Sequence, residues 1–315
     1  MNSGWRPGAG RDMLMARAVL LQRLRQFMSD RDILEVETPL LSDSAACDPQ
    51  LASVATVEPA AYLRTSPEFP LKRLLAAGTG DCYELGRVFR GAESGRWHNP
   101  EFTLLEWYRL GWDHHRLMDE VAALVQRAGN GRFDDWPIHK TSYQQLFSEH
   151  TGIDPHEADC SQLAACMTDS GLAPERLDHS GWLDLTMASR VQPQMPEQAL
   201  NFVYDYPICQ AALARIRDDS PPVAERFELY LGTVELANGF HELTDPAEQR
   251  RRFAEDNRQR RQTDSQVPHD ERFLAALEHG LPDCAGVALG VDRLLMVMTG
   301  ASHIDQVLAF PRDRA

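Results

Sequence analysis

Residues 86–109 read GRVFRGAESGRWHNPEFTLLEWYR, and this stretch decides the fold. Its two ends alternate in the manner of β-strands, and its middle is a loop of small and polar residues. Alternation over 101–109 puts Phe102, Leu104, Glu106 and Tyr108 on one face and Thr103, Leu105, Trp107 and Arg109 on the other. A face that served only the core would not normally carry a glutamate between aromatic rings. Turned toward a ligand, the same set offers a ring to stack on, a carboxylate for a cation and a phenol. Arg90 ends the first strand and joins Arg96 and His98 in a cluster suited to polyphosphate, because guanidinium matches phosphate oxygens bidentately. Taken alone, the stretch is described about as well by a hairpin with a solvated, charged tip.

Toward the N-terminus, Leu14, Ala18, Leu21, Leu24 and Met28 recur at helical spacing and predict an amphipathic helix over 11–30. An extended segment follows from Ile33 to Thr38 and stops at Pro39. Ser66, Pro67 and Glu68 read as a cap, a first-turn proline and a first-turn acid, opening a helix through Leu75. Residues 83–90 and 101–109 are the two strands, and 113–128 are helical. The stretch 140–200 reads as short helices and loops. Asn201–Tyr206 reads as a strand. Phe227–Leu231 and Val234–Ala237 form a hairpin about Gly232-Thr233, after which Asn238-Gly239-Phe240 is expected to bend the chain. Pro246–Gln262 is a strongly charged helix. Gly286–Gly290 is a buried strand running into a helix over Asp292–Met298. Strands and helices interleave without a regular βαβ rhythm, so the expected class is α+β on an antiparallel sheet flanked by helices. No repeat or linker interrupts the 315 residues, which are expected to form one domain, with about 110–200 as its more variable, mainly helical region.

Two further constellations carry chemistry. In ERFELYLGTVELANGFHEL (Glu225–Leu243), a two-residue turn at Gly232-Thr233 sets Tyr230 opposite Glu235. Glu228 and Glu235 then lie diagonally on one face. Two such carboxylates repel unless an arginine or a metal cation sits between them, and magnesium prefers a few carboxylates plus substrate phosphates. An exposed acidic hairpin is the plainer description. In AGVALGVDRLLMVM (Ala285–Met298), Gly286, Ala288 and Gly290 would let a ligand approach the backbone, and Arg293 opens the helix behind them. Tight packing with a surface arginine accounts for that run equally.

The bulk numbers exclude several classes. The apolar fraction of 43% suffices for a core, and no stretch approaches a membrane span. The N-terminus lacks a signal-peptide core, so a cytoplasmic location is expected. Net charge is −15, without the overall basic footprint of a nucleic-acid binder. Six scattered cysteines form no C-x-x-C pair, which argues against a zinc site and a disulfide framework. The eleven histidines show no ligand spacing, and His114-His115 reads as the exposed start of a helix. The arginine-rich run Gln249–Gln262 reads as a solvated helix with acidic partners at helical spacing.

Together these blocks resemble the class II aminoacyl-tRNA synthetases of the lysyl type. The Arg11–Arg31 helix with DILEVETP is similar to motif 1, FR…HNPEF to motif 2 and GVALGVDRL to motif 3. RTSPEFPLKRLL and ELANGFHELTD are similar to the segments between them. Motif 1 begins near Arg11, with no room before it for the anticodon-binding barrel of a full lysyl-tRNA synthetase. The chain thus looks like the elongation factor P–(R)-β-lysine ligase family, paralogues of that enzyme. The resemblance implies a cytoplasmic homodimer, joined through motif 1, that uses ATP and Mg2+. It implies activation of (R)-β-lysine as an adenylate and its attachment to a lysine of elongation factor P, with tRNA an unlikely partner.

It also implies residue roles. Arg90 would hold the α-phosphate and the substrate carboxylate, and His98 the outer phosphates. Phe102 and Arg293 would sandwich the adenine, and Glu93, Asn99, Leu236 and Gly290 complete the ATP set. Glu228 and Glu235 would hold magnesium, with Asn238 nearby. Ser66, Glu68, Glu106, Tyr108 and Glu242 would receive the substrate with its two ammonium groups, beside Ala288. Two positions depart from the lysyl pattern. Phe89-Arg90-Gly91-Ala92 has alanine where the motif usually has glutamate, and Ala288 stands where glycine is usual. The extra methyl suits a reshaped amino-acid pocket. A compact tRNA-charging synthetase, a small class II amide ligase such as ammonia-dependent asparagine synthetase, and a non-catalytic binding paralogue are the competing readings. Three pocket glutamates argue against the acidic substrate of the second. Intact Arg90, Glu228, Glu235 and Arg293 argue against the third.

Overall fold

The computed structural model describes residues 5–48, 51–91, 93–260 and 267–315. Ala92 and the end of the helix expected to reach Gln262 lie outside them. In chain order the elements begin with α1 (Arg11–Ser29), β1 (Leu34–Glu35), β2 (Leu41–Ser42), β3 (Val54–Thr56), β4 (Ala61–Leu63) and α2 (Glu68–Ala76). Next come β5 (Cys82–Phe89), β6 (Glu101–Leu110), α3 (His114–Gly129), β7 (Ile138–Ser142), α4 (Tyr143–Thr151), α5 (Cys160–Cys166) and α6 (His179–Thr186). Then follow β8 (Leu200–Pro207), β9 (Ile216–Arg217), β10 (Val223–Leu231), β11 (Val234–His241), α7 (Pro246–Arg260), α8 (Glu271–Gly280), β12 (Cys284–Gly290) and α9 (Val291–Thr299). The class is α+β, as expected.

Contacts divide the chain into two units. The first comprises residues 1–112, 123–134 and 244–315, the second residues 113–122 and 135–243. In the first unit the strand order is β1-β5-β6-β12, with β1 parallel to β5 and the remainder antiparallel. A small antiparallel sheet, β2-β4-β3, accompanies it. Register fixes what shares a face with Glu106: Glu84 lies opposite it on β5 and Ala288 opposite it on β12. Leu104 has Gly86 and Gly290 as its partners on the same two strands. On the β12 side the flanking residues are small, Ala288 and Gly290, whereas on the β5 side the space over Gly86 is filled by the Arg64 and Glu84 side chains.

Helix α1 turns inward only part of the stripe its spacing suggests, together with residues outside it. Leu20, Leu24, Phe27 and Met28 are buried, whereas Ala18, Met15 and Val19 are exposed and Leu14 and Leu21 half-buried. The strand expected over Ile33–Thr38 pairs only at Leu34–Glu35. Thr38 instead donates its hydroxyl to Glu84 Oε2 at 2.6 Å. The helix after Ser66 forms, but it starts one residue later than expected: Pro67 is its N-cap and Ser66 lies just before it, with Ser66 Oγ accepting from Glu68 N at 2.9 Å.

In the second unit the order is β11-β10-β8-β7, with β9 alongside β10 and β7 parallel to β8. Its core gathers Tyr143, Phe147, Trp182, Leu183, Val203, Tyr206 and Tyr230. β7 falls in the segment read as helices and loops; its residues are half to fully exposed and carry no apolar alternation. The hairpin register Leu231↔Val234 and Tyr230↔Glu235 is as expected. Gly232, at φ +59°, takes the turn position that other residues resist.

Two features of the hairpin differ from expectation. β11 runs on to His241, so Asn238-Gly239-Phe240 does not bend the chain. The register also slips between Leu229↔Ala237 and Tyr230↔Glu235, which makes Leu236 the extra residue of a bulge. The slip puts Asn238 opposite Glu228 in place of Ala237. Glu228, Tyr230, Glu235 and Asn238 thereby share one face. A one-residue insertion of this kind leaves no mark on apolar periodicity.

Candidate active site

In the first unit, Glu106 is 2% exposed on the central strand β6. Its carboxylate accepts from Ser66 Oγ at 2.7 Å and from Tyr108 Oη at 2.8 Å. Burial first, and the neighbouring Glu68 second, push its pKa up to about 8. Glu68 itself is held by Lys72 Nζ at 2.6 Å, one helical turn on. Glu84, across the ladder, has a dedicated cation in Arg64 at 2.7 Å, and both are buried. The floor thus contains one carboxylate with a permanent counter-charge and one, Glu106, whose proton substitutes for a cation. Sequence reading found Ser66, Glu68, Glu106 and Tyr108, and the structure brings them together. It missed Arg64, whose partner Glu84 lies on another element, and Lys72, although its pairing with Glu68 has the i,i+4 spacing of a single helix.

The loop cluster assembles around His98. Arg293 Nη2 donates to His98 Nε2 at 2.6 Å, and burial, then Arg293, hold this imidazole below its ordinary pKa. Arg90 lies 3.6 Å from Glu93, with its guanidinium 5.1 Å from the centroid of Phe102. Arg90 Nε is buried with no hydrogen-bond partner, a donor suited to an anion. Backbone pins at Arg90 N–Pro100 O and Gly91 N–Ala52 O fix the start of the loop. Asn99 is committed to the loop: Nδ2 donates to Glu101 O and Oδ1 accepts from Arg312 N. Arg96 donates to Ser302 O rather than joining the cluster. Asp292 positions Arg293 from below, accepting from Arg17 at 2.5 Å and from Thr103 N at 2.7 Å. Gly290 stands just before the helix that carries Arg293.

In the second unit, Arg226 sits where the sequence left open an arginine or a metal. It donates to Glu228 Oε1, and Tyr230 Oη donates to Glu228 Oε2 at 2.5 Å. Arg226 Nε also reaches Asn238 Oδ1 at 3.3 Å, and its guanidinium lies 4.5 Å from the Tyr206 centroid. Each oxygen of Glu228 keeps a second lone pair, so the Glu228–Glu235 face still fits a hard cation. Tyr230 has its pKa raised well above the ordinary value by burial, with Glu228 and Glu235 adding to it. Glu235 and Asn238 are half-buried, Leu236 is buried and Glu242 is 1% exposed. The signal for Arg226 was present in R-x-E-x-Y, which puts Arg226, Glu228 and Tyr230 on one face of a strand.

The histidine reading needs correction. His114 is 1% exposed, not at the surface, and pairs with Asp205 Oδ1 at 3.1 Å; His115 is exposed. All six cysteines are free thiols. Among the described residues no helix is long and apolar enough to cross a membrane.

With this geometry in view, the model of the tRNA synthetases class II (D, K and N) matches residues 5–314, and the chain belongs to that family. Among curated proteins it is similar to several called elongation factor P–(R)-β-lysine ligase. The protein of that name from Vibrio cholerae serotype O1 is 46% identical, covering 100% of this chain and 99% of the relative. Those of Edwardsiella ictaluri and Yersinia enterocolitica are 48% and 47% identical, each covering 99% of both chains. The chain is accordingly an enzyme, a ligase of class II synthetase construction.

Proposed function

We propose that the chain activates (R)-β-lysine with ATP and transfers it to a lysine side chain of elongation factor P, as the names of its relatives suggest. The observation that carries the reading is the Glu106 floor: a buried carboxylate without a dedicated cation, beside Glu68 and opposite Ala288. Such a floor suits a substrate with two ammonium groups. Ser66 and Tyr108 would orient Glu106 toward one of them, and Glu242 would supply a further carboxylate. The 315 residues are read as one catalytic domain, which the family match over 5–314 supports.

Arg90 would bind the α-phosphate and the substrate carboxylate. A purine stacking on Phe102 would take the place that Arg90 now occupies and free the guanidinium for phosphate. Arg293 would cover the other face of the base, with Gly290 leaving room for it and Leu236 lining the nucleotide. His98, neutral beside Arg293, would donate or accept at the outer phosphates, with Glu93 close by. Asn99 contributes by holding the loop. Glu228 and Glu235 would hold Mg2+, with Asn238 beside them; when bound, the ion neutralises phosphate charge.

The substrate carboxylate oxygen then attacks the α-phosphorus, the bond to pyrophosphate breaks, and the adenylate results. The acceptor amine attacks that carbonyl, an amide forms, and AMP and one proton leave. Arg90 and Arg293 supply positioning and charge stabilisation, so no nucleophilic side chain is needed. We further propose a cytoplasmic homodimer with no tRNA partner.

The test is intact mass after incubation with ATP, Mg2+, (R)-β-lysine and elongation factor P from the same source, with a tRNA pool in parallel. One added lysine residue on elongation factor P, without charged tRNA, supports the proposal. Charged tRNA with unmodified elongation factor P refutes it. Ala288→Gly should shift preference toward α-lysine, measured as the ratio of pyrophosphate-exchange kcat/KM for the two isomers; an unchanged ratio removes Ala288 from the specificity argument.

A further inference from the structure

We infer that His114, Glu225 and His241 form a binding site for a divalent transition-metal ion of the zinc type, separate from the Glu228–Glu235 face. One donor atom from each residue lies within 4.8 Å of the other two, and all three residues are buried. These donors come from three elements of the second unit: the first turn of α3, and strands β10 and β11. Two imidazoles and a carboxylate are a borderline-soft N/O set, which suits zinc better than magnesium or calcium.

Three independent observations support the assignment. His114 Nε2 faces Asp205 Oδ1 at 3.1 Å, while its Nδ1 is buried with no hydrogen-bond partner. A donated Nε2–H leaves a lone pair on Nδ1, and a carboxylate behind the imidazole is the usual arrangement of a histidine that binds metal. Glu225 is also prepared. Oε2 meets His241 Nδ1 at 2.6 Å and Oε1 meets Arg217 Nη1 at 3.3 Å, so both carboxylate oxygens are held in place. Finally, charge favours a dication. Asp205, Glu225 and Asp219 surround the single guanidinium of Arg217. With neutral imidazoles this group carries a net charge of −2, from three carboxylates and one arginine. A divalent cation balances it.

The backbone is shaped to the same end. Asp205 sits at φ +57° inside strand β8, opposite a bulge in β10 at Glu225-Arg226. Both distortions are costly in a plain strand, and together they turn Asp205 toward His114. The bound ion would fasten α3 to the ends of β10 and β11, one residue from Glu242. Sequence spacing hides the site because its donors lie at 114, 225 and 241.

The test uses the full-length protein stripped with a chelator and dialysed. Zinc is titrated by calorimetry in magnesium-containing buffer, and cobalt(II) is added in parallel as a visible-absorption probe. About one zinc per chain is expected, together with a cobalt spectrum of nitrogen and oxygen ligands. His114→Gln and His241→Gln should each weaken zinc binding by roughly 100-fold or more, and Asp205→Asn by roughly 10- to 100-fold. Circular dichroism verifies that the variants fold. His115→Gln should leave binding unchanged, since His115 is exposed and serves only an alternative grouping with His114 and Asp205. No stoichiometric zinc, unaltered affinity in folded His114→Gln, or loss caused by His115→Gln overturns the assignment. In the first case the cluster is a hydrogen-bonded charge network only.

Discussion

Glu106→Gln isolates the electrostatic state of the pocket floor. The wild-type carboxyl keeps its proton up to about pH 8 in the folded chain, against an ordinary value of 4.5. Between these values the folded protein binds a proton that the unfolded chain does not. Stability from this group is therefore complete below about pH 4.5 and is lost as pH rises through about 8. The slope approaches about 1.4 kcal/mol per pH unit, because one proton is at stake. Integrated from pH 6 to pH 8, it amounts to roughly 2 kcal/mol and levels off above. Glutamine preserves the shape and can still bond Ser66 and Tyr108, but does not titrate. Urea unfolding of both proteins at pH 6, 7, 8 and 9 reads the effect as a difference, which cancels the other ionisable groups. Wild type should lose roughly 2 kcal/mol relative to Glu106→Gln between pH 6 and pH 8. A difference that stays flat across this range would refute the idea that a proton stands in for a cation at Glu106.

Arg226→Met leaves the buried Glu228 without its cation and should destabilise the chain by roughly 3–5 kcal/mol in urea unfolding, much of it recovered by adding Glu228→Gln. Gly232→Ala places a methyl 2.5 Å from Glu197 O at a positive φ. A loss of roughly 1–3 kcal/mol is expected by thermal or urea unfolding, and no loss would mean the turn can relax. Arg90→Lys keeps the charge but not the fork, and ATP–pyrophosphate exchange should fall roughly 10- to 100-fold.

The parts of this protein that could be read from its sequence are those in which neighbours in the chain are neighbours in the site. Alternation along β6 is one such case, since period two alone sets Phe102, Glu106 and Tyr108 on one face. Ser66 and Glu68 are another, because the Ser-Pro-Glu run announces a helix start, although Pro67 rather than Ser66 is the cap. What escaped depended on contacts far apart in the chain. Arg64 and Glu84 meet as a side-chain pair between two separate sheets, and the bulge at Leu236 changes register without changing hydrophobicity. On α1 the spacing found Leu24 and Met28 but included exposed Ala18 and passed over buried Leu20 and Phe27, because several apolar faces are available and period alone does not say which turns in. β7 was invisible because its residues lack apolar alternation.

Arg226 gives the acidic hairpin an internal counter-ion. The folded shape of that strand pair would therefore not depend on a resident dication, and under the proposed function magnesium would arrive and depart with the nucleotide. A fall in cellular magnesium should then slow turnover while leaving the amount of folded enzyme unchanged. Under that proposal, supply of the metal would act as a throttle on the reaction rather than as a condition for the protein's survival.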